Sequence, residues 1–476
     1  MNRISILFTA FAGSLILASC DKQLSEPPAN ARVEGTAITD QKSAQTVLNG
    51  AYYRLAAVDA NNVTDMRTHH LPGAMASGWL GNGLGQLQDE INNNVNASYA
   101  PQIWNESYLL INAANGLIDG VLALPDEKFT GTRKDELLAE ARFLRAYGHF
   151  RLLVFFGEWF KPNSAFGVLL RDQLSRLSTI AKARSSVAES YTLILEDLDF
   201  AAANGPAANP NHYATKWAAM ALKMRVLINR GQGDDYSKII TLGNTLMQNG
   251  GYALEPNLKD LFYTKGLASK EVILGTKPQP NQQDFYYILS RSYYPIQSSL
   301  FVAKQPFKDL LSADPRGTWM VGPQTPYQAY SPNTYYFTKY IPYGTATSVN
   351  SETSYLFRLS EVYLLTAEAI IRSGGDLNTA KTLIKTVMGK GGVTDFSAID
   401  NAATTSALLV QNYYEVSRCL MGEDNIEWFT LLRLPFETVK QLKPTITSQI
   451  QYYFPVPQDE FTTNPAFGQQ NPGYGI

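Results

Sequence analysis

The sequence predicts a mainly α-helical fold built of tetratricopeptide-like helix pairs, with a large irregular aromatic-rich loop region set on them. Three observations predict it. Apolar residues recur at helical spacing in a succession of segments that begin at capping residues and end at Gly or Pro. Several of these segments follow one another across short connections, with pairs recurring at roughly 30–45 residues. Between them, Pro278–Gly344 carries 15 aromatics in 67 residues, ten of them Tyr, together with nine prolines. Proline at that density forbids long helices, because each ring removes an amide donor and clashes with the preceding turn. The consensus tetratricopeptide residues are mostly missing, so an irregular all-α body stands as the alternative to a superhelix of repeats.

In chain order, the N-terminus comes first. Arg3 is followed by an apolar stretch, Ile4–Ala18, diluted only by Ser5, Thr9, Gly13 and Ser14. At about 15 residues it falls short of the ~20 a spanning helix needs, and it fits the ~7–15 of a secretory h-region. It ends in Leu17-Ala18-Ser19-Cys20, which resembles a bacterial lipobox. The expectation is therefore a signal peptide over 1–19, lipidation of Cys20, and a tether over 20–40 kept extended by Pro27 and Pro28. Buried acyl methylenes contribute roughly 0.8 kcal/mol each, so several chains on one cysteine hold firmly. An ordinary secretory signal with an incidental cysteine is the competing reading. The position of the tetrapeptide, where the apolar run stops, favours lipidation.

Residues 41–476 read as one body, since no Ser/Gly/Pro tract or charge block divides them. A first helix is expected over Ser43–Ala57 and a second over Pro101–Leu124, with Trp104, Tyr108, Ile111, Ala114 and Ile118 near helical spacing. The clearest helix is Arg133–Phe156. Thr132 and Asp135 suggest a capping box, acids lead and arginines follow as the helix dipole favours, and Leu137, Ala141, Leu144 and Gly148 form a stripe small enough for a close neighbour. Further helices are expected at Ser186–Ala203, Ala214–Asn229, Tyr236–Gln248, Tyr355–Ser373, Leu377–Met388, Ser406–Leu420 and Ile426–Arg433. Trp104, Tyr147, Phe150, Trp217 and Trp428 fall on helices and are assigned to packing.

Composition narrows the function. A net charge of -2 gives no basis for nucleic-acid binding. The two cysteines are Cys20 and Cys419, so with Cys20 lipidated no disulfide framework is available; Cys419 reads as a small buried hydrophobe. Of four histidines, His69 and His70 are adjacent and point apart, His149 is a core residue, and His212 precedes a helix. No zinc-type spacing, nucleophile elbow or phosphate loop is present. Gly81, Gly83 and Gly85 lack the frame of a dinucleotide fingerprint and read as a surface loop. Two facing carboxylates would suffice for glycoside hydrolysis; Asp89 and Glu90 are candidates, with a solvated acidic edge the favoured alternative. The expectation is a non-enzyme without cofactor or metal.

Several of these segments carry a family likeness. Leu48-Asn49-Gly50-Ala51-Tyr52-Tyr53-Arg54-Leu55, then Trp104, Tyr108, Ile111 and Ala114-Asn115, then Glu140-Ala141-Arg142-Phe143-Leu144-Arg145-Ala146 running on to Phe155-Phe156-Gly157, resemble the SusD/RagB family of outer-membrane nutrient-binding lipoproteins. So do Arg358-Leu359-Ser360-Glu361-Val362-Tyr363-Leu364-Leu365-Thr366-Ala367-Glu368-Ala369 and a C-terminus with Phe454-Pro455-Val456-Pro457, Glu460, Asn464-Pro465 and Gln470-Asn471-Pro472-Gly473-Tyr474. The sequence departs where members commonly carry Arg before Trp-Phe-Asp-Leu: here Glu427 precedes Trp428-Phe429-Thr430-Leu431. The resemblance implies four helix pairs with an irregular ligand-binding region. It implies a partner, a SusC-like TonB-dependent outer-membrane barrel. It also implies a role, capture of a glycan, or in some members a peptide, for delivery to that barrel.

Sugar recognition without chemistry needs flat apolar faces and convergent polar groups. Two regions, about 60–100 and 278–345, are the expected suppliers. From the first come Trp79, in a loop too polar for core, and Asn82, Asp89 and Asn92. From the second come Trp319, after Asp314-Pro315-Arg316-Gly317, and the pairs Tyr293-Tyr294 and Tyr335-Tyr336, each able to turn one ring outward. A tetratricopeptide scaffold for a protein or peptide, and a surface hydrolase, are the competing functions.

Overall fold

A computed structural model of the chain describes residues 37–56, 66–84, 99–176, 178–277, 301–344 and 354–475. The expected signal peptide, Cys20, most of the tether, Asp89, Asn92, Tyr293 and Tyr294 lie outside the described residues.

The helices are α1 (Gln41–Leu55), α2 (Leu71–Ala76), α3 (Ala100–Leu122), α4 (Arg133–Phe156), α5 (Val187–Asn204), α6 (Lys216–Arg230), α7 (Asp235–Asn249), α8 (Leu359–Arg372), α9 (Leu377–Lys390), α10 (Thr405–Leu420), α11 (Ile426–Leu432), α12 (Phe436–Leu442) and α13 (Gln458–Thr463), with shorter turns between. From α3 to α9 each helix packs on its successor, α1 lies on α3, and α10 lies on α8 and α9. No helix among the described residues is long and apolar enough to cross a membrane.

Helix starts follow side-chain chemistry. Asp40 and Ser43 form a capping box on α1, Ser186 and Glu189 form one on α5, and Thr215, Asp376 and Thr404 cap α6, α9 and α10. The box expected at Thr132 is absent. Thr132 has ψ 5° instead of an extended backbone, so its hydroxyl misses the helix amides and donates to Glu136 Oε1 at 3.0 Å. The small stripe on α4 does admit a neighbour: a Cβ on Gly148 would lie 2.7 Å from Ile111 Cγ1 on α3.

One expected helix is split. Tyr355–Arg358 is a strand that pairs antiparallel with Val272–Gly275, and α8 begins only at Leu359. All four strand residues are buried, and a run this short carries no period that separates strand from helix. The aromatic stretch also holds more regular structure than its prolines suggest. A four-stranded antiparallel sheet is built from β1 (Leu80–Asn82), β3 (Phe301–Lys304), β4 (Val321–Gln324) and β5 (Thr334–Phe337), in the order β1-β3-β5-β4. The pair Val272–Gly275 and Tyr355–Arg358 are β2 and β6.

Buried ion pairs join sheet to helices. Arg358 on β6 donates to Glu423 Oε2 at 2.6 Å and also to Glu271, while Lys339 reaches Glu423 and the Met421 carbonyl. Arg225 on α6 holds Glu361 on α8 and Asp424. Arg316 forks onto Glu415 on α10 at 2.6 and 2.8 Å and holds Asp314 as well. Arg316 thus anchors the turn Asp314-Pro315-Arg316-Gly317 to α10. Cys419 is buried as expected, with Sγ 3.6 Å from the Arg358 guanidinium. His149 is a core residue whose Nε2 accepts the Arg171 amide, so its proton sits on Nδ1; burial first, then the Arg145 charge, pull its pKa down to about 3. His69 turns toward Tyr147 and Asp424, and His70 toward Ser354 and the Tyr340 ring.

Candidate functional site

On β5, successive side chains take opposite faces of the sheet. Tyr335 and Phe337 face the helical turn Gln305–Leu310: Tyr335 donates to Gln305 Oε1 at 2.8 Å with Lys308 Nζ 3.9 Å over its ring, and Phe337 meets Phe307. Tyr336 takes the other face, against Tyr343 at 5.5 Å between ring centroids. Neither ring of the pair is turned to solvent, at 6% and 7% exposure. The sequence expectation of one outward ring fails because each face of β5 is covered, one by the turn Gln305–Leu310 and the other by Tyr343.

The outward rings come from the turns beside the strands. Tyr330 is 70% exposed and Tyr343 55%, the two most exposed aromatics among the described residues. Tyr327 lies flat on the end of β1: a Cβ on Gly83 would sit 2.4 Å from its Cδ2. Gly83 is therefore a contact that no other residue would allow, not a loose surface glycine, and Gly81 is a buried strand residue. Burial first, then the Tyr343 and Tyr327 hydroxyls, raise the Tyr336 hydroxyl above the usual phenol value, which places Tyr327 beside the same cluster. Leu84, 39% exposed, completes the patch. The arrangement is a platform of Tyr327 and Tyr343 beside Tyr336, with Tyr330 exposed at the same turn as Tyr327.

The other sequence candidates lie deeper. Trp79 is half-buried, with its ring near Phe307 and Tyr413 at 6.3 and 6.4 Å, and its carbonyl accepts the Lys304 amide. The segment judged too polar for core ends in strand β1, which burial of its backbone on β3 explains. Asn82 is buried and its Oδ1 accepts the Leu84 amide at 2.7 Å. Trp319 is half-buried between Phe262 and Tyr263, and its carbonyl takes the Tyr263 and Thr338 hydroxyls. Sequence reasoning missed Tyr327, Tyr330 and Tyr343. Each sits next to or two residues from Pro or Gly (Pro326, Pro332, Pro342, Gly344), and such turn positions push a ring outward where strand pairs bury it.

Among the described residues the platform carries no acid. β1, β3, β4 and β5 contain no Asp or Glu, nor does Gly317–Gly344. The nearest acid in sequence, Asp314, is committed to Arg316. The surface offers ring faces and phenol hydroxyls, which suit the C–H face and hydroxyls of a sugar.

Two family profiles match the chain. One, described as starch-binding and associating with the outer membrane, matches residues 27–228, and the SusD family matches residues 313–474. A SusD-like protein of Bacteroides ovatus is 24% identical over 185 residues, a match that spans 37% of this chain and 32% of that relative's length. Among solved structures, a SusD superfamily protein from Bacteroides thetaiotaomicron superposes with a TM-score of 0.73 at 22% identity, over 91% of this chain and all of the other. A SusD-like carbohydrate binding protein from Bacteroides vulgatus gives 0.67 at 18%, over 83% and 84%. B. fragilis NanU gives 0.72 at 18%, over 95% and 100%.

Proposed function

Because the chain belongs to the SusD/RagB family, we propose that it captures a glycan at the cell surface on the platform formed by Tyr327, Tyr330 and Tyr343, and delivers it to a SusC-like TonB-dependent outer-membrane barrel. The single observation that carries the reading is the exposure of Tyr330 and Tyr343, with Tyr327 half-buried beside them, on a sheet whose strands carry no acid. Rings stack on sugar faces, and the platform has no paired carboxylates among the described residues, which favours a glycan held and not cut. The likeness to a carbohydrate binding protein from Bacteroides vulgatus supports the choice of ligand class. Asp89, Asn92, Tyr293 and Tyr294, outside the described residues, are proposed as further partners to the glycan. Trp79 and Trp319 then act from beneath, holding the strands that carry the platform. Lipidation at Cys20 would anchor the protein in the outer membrane.

Affinity electrophoresis through gels containing soluble polysaccharides, with chromatography of the recovered glycan, tests capture. Retardation by one polysaccharide class with no shortened product is expected. Retardation by none, or product formation, contradicts the proposal. Co-purification of a large β-barrel from mildly solubilised outer membranes tests delivery.

A further inference from the structure

A second concave site lies elsewhere on the helical body. The outer face of α3, the segment 169–180 and α13 enclose a cleft of 520 Å³ that shares no lining residue with the tyrosine platform. That volume is within the ~300–1,000 Å³ of small-molecule sites. One wall is apolar: Tyr108, edge-on to Trp104 at 5.0 Å, with Leu109 and Ile180, which are 39% and 47% exposed. Exposed apolar side chains facing a cleft leave water with little to bond and favour an occupant with an apolar face.

The polar groups of the cleft sort into two sets. The charges are spent inside the protein. Glu460 accepts the Trp104 indole at 3.3 Å and the Asn464 amide at 2.8 Å, and Arg171 donates to the carbonyls of Thr179 and Ile180. The neutral groups are left over. The side-chain amides of Gln102 and Asn105, one turn apart on α3, make no hydrogen bond among the described residues, and Gln102 Oε1 is withdrawn from water as well. Asn112 uses only its Oδ1, accepting the Ser175 amide at 2.9 Å, which leaves its NH2 toward the cleft. Amides both donate and accept, as do sugar hydroxyls.

Apolar side chains interleaved with uncommitted neutral amides along α3, with the two charged groups held by internal hydrogen bonds, are complementary to a neutral polyhydroxylated ring. We infer that this cleft is a second saccharide site, of a size for one or two sugar rings and independent of the platform. A chain of sugars held at two places on one protein binds more tightly than either site alone provides.

The test uses the purified protein with the platform removed by Tyr327→Ala, Tyr330→Ala and Tyr343→Ala. It is titrated calorimetrically with malto-, cello-, manno-, xylo- and galacto-configured di- and trisaccharides, and with tri-alanine. One saccharide is expected to bind still. Gln102→Leu with Asn105→Leu, which break no internal hydrogen bond, is expected to weaken it about tenfold, and Leu109→Trp, filling the cleft, to abolish it. Loss of all saccharide binding with the platform overturns the second site and leaves the proposed function standing. Residual binding indifferent to both cleft variants overturns it too, and binding of tri-alanine alone overturns the ligand class. Saccharide binding unchanged by the platform variants but lost with the cleft variants would keep this site and overturn the platform.

Discussion

Glu427 is in the first turn of α11, fully buried, and neither of its carboxyl oxygens has a hydrogen-bond partner among the described residues. The helix N-terminus favours a negative charge there, and Lys339 pulls in the same direction, but burial outweighs both and pushes the carboxyl up to about 8. In the unfolded chain it ionises near 4.5. Between those values the unfolded chain sheds a proton that the folded protein keeps, so stability falls as pH rises through that window and levels off above about 8. At 1.36 kcal/mol per pH unit, the cost is under roughly 1 kcal/mol at pH 5 and roughly 3 kcal/mol at pH 7. Gln at this position is neutral in both states and takes up no proton. Its amide adds a buried donor that costs about 1–3 kcal/mol, but equally at every pH. Urea unfolding of the protein and of Glu427→Gln at pH 5, 6, 7 and 8 should therefore give a stability difference that moves in favour of Gln by roughly 2–3 kcal/mol between pH 5 and 7. All other titrating groups cancel in that difference. Parallel stability curves for the two proteins would refute the reasoning.

Three further outcomes follow from the packing and the N-terminus. Gly50 on α1 has open space where a Cβ would point, so Gly50→Ala should stabilise by up to ~1 kcal/mol through helix propensity. Gly148→Ala, driven into Ile111, should instead destabilise by about 1–3 kcal/mol, because overpacking outweighs the same propensity gain; thermal unfolding of both variants checks the opposite signs. Arg358→Met leaves Glu271 buried without a cation and Glu423 with Lys339 alone, and should cost about 3–5 kcal/mol by denaturant titration. Cys20→Ala should move the protein from the membrane fraction to the soluble fraction on immunoblots of fractionated cells, and retention in the membrane would contradict lipid anchoring at that residue.

Helices were legible in the sequence because their signals are local. The apolar spacing of each helix and the small stripe on α4 lie within one element, although the cap expected at Thr132 did not form. The sheet was not legible, because strands of three or four residues carry almost no period and their partners are remote: Leu80 pairs with Ala303, and Val272 with Arg358. The same remoteness hid the roles of Arg316 and Glu415, which meet across α10. Burial of Tyr335 and Tyr336 could not be read without knowing that the turn Gln305–Leu310 and Tyr343 cover the two faces of β5. The outward tyrosines were visible as neighbours of Pro and Gly, a cue that weighs turn chemistry above ring pairs. Glu427 stood out as a departure from a family pattern, and its partnerless burial needed the structure.

The central claim is that exposed tyrosines hold a glycan that the protein does not cleave. Isothermal titration of the protein and of Tyr330→Ala with Tyr343→Ala, against the polysaccharide that retards the protein most, tests it most directly. Both rings are exposed, so the fold should be unchanged. Each lost stacking contact is worth about 1 kcal/mol, and the pair should weaken binding roughly 10–30-fold with no product in the cell. Equal affinity in the two proteins would contradict the account.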